Sequence, residues 1–302
     1  MFKGIIPPVI TPLQSQNKLD TEGLIRLLEH ILSGGVNGLF ILGTSGEGPS
    51  LSYDLRYEVI KRVCSHVDGR VPVLAGITDT SFTESLELAK YAAVCGSDAV
   101  VAAPPYYFTV NQQELIRYYL ALADQSPLPL FLYNMPPHTK INITPETVEL
   151  LSDHPNIIGF KDSSGDVIYF QKVLSLLKNR QNFPVFVGPE EILMQTMMSG
   201  GDGGVNGGAN LFPKLYVAMY DAVIDNDFNR MHKLQEKILE VSSKLYTIGN
   251  SPMKYLQGVK CALSLMGICS DVMAFPYQSL SSEEKKQVQK ALQELNMDEV
   301  LV

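Results

Sequence analysis

A closed (β/α)8 barrel with a helical tail is the architecture that this 302-residue sequence predicts. Three observations predict it. Short, continuously apolar β-rich runs alternate with longer amphipathic stretches, the pattern of a parallel sheet covered on both faces by helices. Eight such units are present, which favours a closed barrel over the competing open, doubly wound sheet. The length holds a barrel of ~250 residues plus an appendage, although it would also hold two average domains.

The apolar runs lie at 4–11, 38–42, 71–76, 99–103, 130–133, 157–161, 184–188 and 203–206. Helical spacing between them is clear at 21–32, 53–67, 83–94, 113–123, 167–177 and 190–199. An eighth helix is expected at 214–224, then three more at 228–247, 253–266 and 282–296. The last opens on Ser-Ser-Glu-Glu, an N-capping signal with acids in the first turn. Residues 1–225 therefore read as the barrel, and 226–302 as a helical extension packed on it within a single structural unit. Such an extension serves either as an oligomer contact or as a plain cap.

With 45% hydrophobic and 19% charged residues, the chain has enough apolar surface for a large core. A net charge of −8 excludes the basic footprint that nucleic-acid binding needs. Cys64, Cys95, Cys261 and Cys269 form no CxxC pair and are read as reduced thiols. His30, His66, His138, His154 and His232 are scattered without an HExxH motif, so no bound metal is expected. The N-terminal apolar run is short and proline-rich for a signal segment, and no stretch approaches ~20 uninterrupted apolar residues. A cytoplasmic protein without a membrane span is the expectation.

Barrel enzymes place their chemistry where the strands end. Among the eight expected strand ends only one carries an amine, Lys161 in Ile-Ile-Gly-Phe-Lys. Alternation puts Ile157, Gly159 and Lys161 on one face. If that face points inward, desolvation lowers the lysine pKa and makes the amine a nucleophile. The alternative is a lysine snorkelling to the rim. Tyr133 ends the neighbouring strand, where a phenol can move protons for an amine, or else be a core aromatic. In 43–48, Gly-Thr-Ser-Gly-Glu-Gly, backbone N–H groups and two hydroxyls can face a carboxylate; a flexible turn is the plainer reading. The glycine-rich run 200–208 matches neither a P-loop nor a dinucleotide fingerprint. Close backbone packing or contact to substrate suits it better than a phosphate site.

Taken together these residues resemble the dihydrodipicolinate synthase/N-acetylneuraminate lyase family of class I aldolases, over essentially the whole chain. The resemblance rests on Gly43-Thr44-Ser45-Gly46-Glu47, Pro105-Tyr106-Tyr107, Tyr133-Asn134-Met135-Pro136 and Gly159-Phe160-Lys161-Asp162. It implies Lys161 as the Schiff-base lysine, Tyr133 as proton shuttle, and Thr44 and Ser45 as carboxylate binders and relay members. It also implies Tyr107 as a relay member supplied by a neighbouring subunit, and the Val205 backbone lying against the keto acid. No metal or organic cofactor is implied, and the assembly is expected to be a homotetramer, a dimer of dimers.

Two departures from the family pattern stand out. His138 occupies the place where the synthases carry an arginine for the second substrate's carboxylate, and an imidazole gives no bidentate clamp. Gly48, Tyr53, Arg56 and Thr80 differ from the polar and histidine pattern of the family's lysine-feedback site. Residues 154–166 are similar to 4-hydroxy-2-oxoglutarate aldolases, and 46–52 to 2-keto-3-deoxy-sugar-acid aldolases. Substrate choice is then expected to rest on His138, Ser163, Ser164, Pro189 and Glu190. The expected function is aldol cleavage of such a hydroxy-keto acid to pyruvate and an aldehyde. Two alternatives remain: condensation of pyruvate with aspartate semialdehyde, and a keto-acid-binding barrel without turnover.

Overall fold

Eight parallel strands ring a common axis in the computed structural model, which describes residues 2–296. They are β1 (Gly4–Ile5), β2 (Leu39–Ile41), β3 (Val73–Gly76), β4 (Ala99–Ala102), β5 (Leu130–Asn134), β6 (Ile157–Asp162), β7 (Val185–Val187) and β8 (Gly203–Gly204). Consecutive strands pair from β2 to β8, and β8 pairs with β1. A parallel bridge between Pro8 and Phe40 joins β1 to β2 and closes the ring. There the Phe40 N–H donates to the Pro7 carbonyl at 2.9 Å and the Val9 N–H to the Phe40 carbonyl at 2.8 Å. The first strand is shorter than the apolar run because Pro7 and Pro8 have no N–H to continue a ladder.

Helices α1 (Thr21–Ser33), α2 (Tyr53–Val67), α3 (Phe82–Cys95), α4 (Gln112–Gln125), α5 (Pro145–Leu151), α6 (Val167–Leu177), α7 (Leu193–Met198) and α8 (Pro213–Ile224) follow the strands in turn. The tail adds α9 (Phe228–Leu245), α10 (Lys254–Leu265) and α11 (Ser282–Leu295), the last with Ser281 and Glu284 forming a capping box. Sequence periodicity missed α5, which is only seven residues long. Its signal was local: the Thr144 side chain caps it and Pro145 opens it. The expected helix at 190–199 is a 3₁₀ turn, Glu190–Ile192, followed by α7. A small hairpin, Leu13–Ser15 with Lys18–Leu19, was likewise not foreseen.

Two apolar layers result. The larger one lies between the strands and the surrounding helices. The smaller fills the barrel with Ile6, Phe40, Leu74, Val101, Phe131, Phe186 and Val205. Phe131 and Phe186 meet there with centroids 6.2 Å apart, forming an aromatic floor. Gly159 makes room for it, since a Cβ at that position would come within 2.2 Å of the Phe131 ring.

The expected face shared by Ile157, Gly159 and Lys161 needs one correction. A register shift between β5 and β6 pairs Leu130 with Ile157 but Phe131 with Gly159, leaving Ile158 of β6 as the extra residue. Ile157 consequently packs outward among the helices, and Ile158 lies against the barrel interior. One extra residue in a strand exchanges the faces on either side of it.

Candidate active site

β5 and β6 run in register so that Tyr133 pairs with Lys161 and Asn134 with Asp162. Alternation then sends Tyr133 and Lys161 into the barrel and turns the other two toward the helices. Behind the pair, the Asn134 amide Nδ2 donates to Asp162 Oδ1 at 2.9 Å, bolting the two strand ends together. The Ser164 N–H and hydroxyl complete the Asp162 carboxylate at 3.0 and 2.8 Å. Burial still pushes the Asp162 pKa up.

Lys161 is only 5% exposed. Its Nζ lies 4.1 Å from the centroid of the Tyr133 ring and 4.8 Å from that of Phe40. Burial lowers its pKa; the Tyr133 phenol and Asp162 oppose that shift without reversing it. An amine held this way is available unprotonated nearer to neutral pH than a lysine in water. Tyr133 is buried, and its hydroxyl lies 3.1 Å from Thr44 Oγ1.

Thr44 and Ser45 stand on the loop after β2. Their backbone N–H groups have no acceptor among the described residues, so two donors remain for an anion. Thr11 Oγ1 braces the same loop by donating to the Gly46 carbonyl at 2.7 Å. The Ser45 hydroxyl lies 3.3 Å from that of Tyr255, on α10.

Lys161, Tyr133, Thr44, Ser45, His138, Ser163, Val205 and Glu190 all line one cavity of about 240 Å³. A second lobe of about 280 Å³ shares Thr44, Tyr133, Met135 and His138 with it and is walled largely by apolar groups. His138 sits exposed on the short helix Pro136–Thr139 at the junction of the lobes. Tyr107 is not gathered in: it is 78% exposed and packs edge-on against Phe108, with centroids 5.0 Å apart. Arg56 and Tyr53 are engaged elsewhere, donating to Asp79 Oδ2 at 2.8 and 3.1 Å.

Glu190 walls the cavity with both carboxylate oxygens already held by protein donors. The hydroxyls of Tyr216, at 2.6 Å, and of Tyr246 donate to Oε1, and the Gly208 N–H donates to Oε2 at 3.1 Å. Burial, aided by the Glu191 charge, pushes its pKa from an ordinary 4.5 up to about 7. The folded state therefore keeps a proton that the unfolded chain releases, and stability falls as pH rises from 4.5 toward 7. That interval corresponds to about 3 kcal/mol. Glu190→Gln removes the ionisation while keeping the shape. Denaturant titrations at pH 5 and pH 8 should show the wild type losing stability relative to the variant at the higher pH. Parallel losses in both proteins would contradict this.

Several residues lining or backing the site escaped the sequence reading: Tyr246, Tyr255 and Lys260 from the tail, and the side-chain roles of Glu47, Asn134 and Asp162. One signal was available, since Lys260 is the lone charge within the apolar run 259–263 of α10. Among the described residues, no three His, Cys, Asp or Glu side chains are grouped to hold a metal. No helix there is long and apolar enough to cross a membrane.

A model of the dihydrodipicolinate synthetase family matches residues 1–295. The structure of dihydrodipicolinate synthase from Bacteroides thetaiotaomicron is 52% identical and superposes with a TM-score of 0.95, covering 97% of this chain and 98% of that one. YagE of Escherichia coli K12, a family member solved in complex with pyruvate, is 33% identical with a TM-score of 0.93, covering 98% and 99%. "Probable 2-dehydro-3-deoxy-D-pentonate aldolase YjhH", also from Escherichia coli K12, is 34% identical over 94% of both chains.

Proposed function

Because the chain belongs to the dihydrodipicolinate synthetase family and is an enzyme of its lyase class, we propose that it is a pyruvate-dependent class I aldolase in which Lys161 forms the Schiff base. The observation that carries the reading is the buried Lys161 amine beside the Tyr133 phenol, in a cavity also lined by Thr44 and Ser45, whose backbone N–H groups have no acceptor among the described residues. The amine adds to the C2 ketone of a 2-keto acid, and loss of water gives a cationic imine. Tyr133 takes the proton of the C4 hydroxyl, the C3–C4 bonding electrons move into the imine, and an aldehyde departs. Protonation of the remaining enamine at C3, then hydrolysis, releases pyruvate and frees Lys161. The chain's own groups suffice for every step, so no organic cofactor is assigned. Thr44 would pass the proton onward from Tyr133, and Tyr107 would join the relay from a second copy within a homotetramer.

The favoured direction is cleavage of a 2-keto-3-deoxy sugar acid or a 4-hydroxy-2-oxoglutarate-type acid, because His138 stands at the cavity rim where a guanidinium clamp is missing. Ser163, with His138 at the rim and the Val205 backbone along the wall, would contact the substrate. A second reading has its own support: the 52% identical Bacteroides structure is named a dihydrodipicolinate synthase. One assay separates the two. Pyruvate release should be seen from at least one of these hydroxy-keto acids and be lost in Lys161→Ala. Efficient condensation of pyruvate with aspartate semialdehyde, with no release from any hydroxy-keto acid, would transfer the assignment to the synthase reaction.

A further inference from the structure

The tail does more than cover the barrel. Lys260, on α10, and Glu47, on the loop after β2, form an ion pair in which neither side chain is more than 1% exposed. Lys260 also donates to the Val272 carbonyl at 2.8 Å, while Glu47 Oε1 accepts the Ala274 N–H at 2.8 Å. One carboxylate thus ties the loop to a helix and to the segment after it, more than two hundred residues away. Tyr255, one and a half turns earlier on α10, meets the same loop at the Ser45 hydroxyl.

The loop needs such a hold. Glu47 has φ = 55°, a left-handed conformation that residues other than glycine seldom adopt. Its N–H donates to the Thr44 carbonyl at 3.0 Å, and the Gly48 N–H to the Gly43 carbonyl at 3.2 Å, so the turn curls around Thr44 and Ser45. Two buried charges are a poor way to gain stability alone, since apolar side chains of the same volume commonly do as well. What an ion pair adds is a fixed geometry.

We propose that Lys260 and Glu47 are positioning residues whose buried pair holds the 43–48 loop so that the Thr44 and Ser45 N–H groups face the keto-acid carboxylate, which makes the C-terminal extension a working part of the site. The proposal rests on the reading of the cavity as a keto-acid site. Both act through the loop: Lys260 is fully buried, with its ammonium engaged by Glu47 and the Val272 carbonyl, and the two Glu47 carboxylate oxygens are taken by Lys260 and the Ala274 N–H.

The test uses the full chain carrying Glu47→Gln together with Lys260→Met, a double change that removes both buried charges and leaves neither unpaired. Half-saturation of borohydride trapping is measured with pyruvate and with pyruvamide, a ketone of similar size that lacks the carboxylate. The double variant should unfold near the wild-type midpoint and need about tenfold more pyruvate, the scale of one charge-assisted hydrogen bond, with pyruvamide little changed. Unchanged pyruvate half-saturation, or equal weakening of both ketones, overturns the proposal. A second measurement needs no variant. In the free wild-type protein the Glu47 and Gly48 amides should already exchange slowly with deuterium. Fast exchange that slows only when pyruvate is added would overturn a pre-set loop. Failure of the wild type to trap pyruvate would instead overturn the underlying reading of the cavity.

Discussion

Replacing Lys161 with methionine is expected to lower turnover by a factor on the order of 10⁶, the scale on which a covalent nucleophile is lost, while making the protein more stable. The two effects share a cause. The Nζ lies over the Phe40 and Tyr133 rings with no carboxylate partner among the described residues, and burial lowers its pKa. The folded state binds that proton less readily than the unfolded chain does. Stability therefore rises with pH toward the ordinary lysine value of about 10.4, and the cost of the buried ammonium is largest at acid pH. Methionine has no charge to bury and a similar length, so a gain of about 0.5–2 kcal/mol is expected. Its advantage should be greatest in acid and shrink as pH increases. Thermal unfolding across pH, run beside a single-turnover assay, checks both halves. A methionine variant that is inactive but less stable would mean that the ammonium is well satisfied, and the nucleophile argument would fail.

Removing one oxygen from Tyr133 should also slow turnover severely, though less than loss of the lysine, and leave the fold largely intact. In Tyr133→Phe the ring still meets Phe40 edge-on, with centroids 6.3 Å apart, and still covers the lysine. What disappears is the hydroxyl 3.1 Å from Thr44 Oγ1. Loss of a positioned proton carrier costs about 10²–10⁴-fold in rate. The loss should fall on kcat, with keto-acid half-saturation moving little. The phenol also favours the protonated amine, against the larger effect of burial. Without it the acid limb of Lys161 trapping should shift to lower pH. An unchanged kcat, or an acid limb displaced to higher pH, would remove Tyr133 from the proton path.

The barrel and its candidate site were legible for different reasons. Alternating apolar runs carry the fold because parallel strands buried on both faces leave that imprint directly. Lys161 stood out as the one amine among the expected strand ends, and its weight came from neighbours such as Tyr133. Local irregularities were hidden. The shift that turns Ile157 outward depends on how β5 pairs with β6, which no periodicity within one strand reveals. Helix α5 was too short to show a period, though Thr144 and Pro145 marked its start. The grip of Lys260 on Glu47 joins residues 213 positions apart, so only the folded chain brings them together. Glu190 lines the cavity as a residue expected to meet substrate, and its carboxylate is held by Tyr216 and Tyr246, partners that spacing could not supply.

Reduction with borohydride in the presence of pyruvate, followed by peptide mass analysis, bears most directly on the central claim. One pyruvate-derived adduct per chain is predicted, on the peptide containing Lys161, and none in the methionine variant. No adduct, or a stable one on a different lysine, would contradict the assignment of this buried amine as the nucleophile.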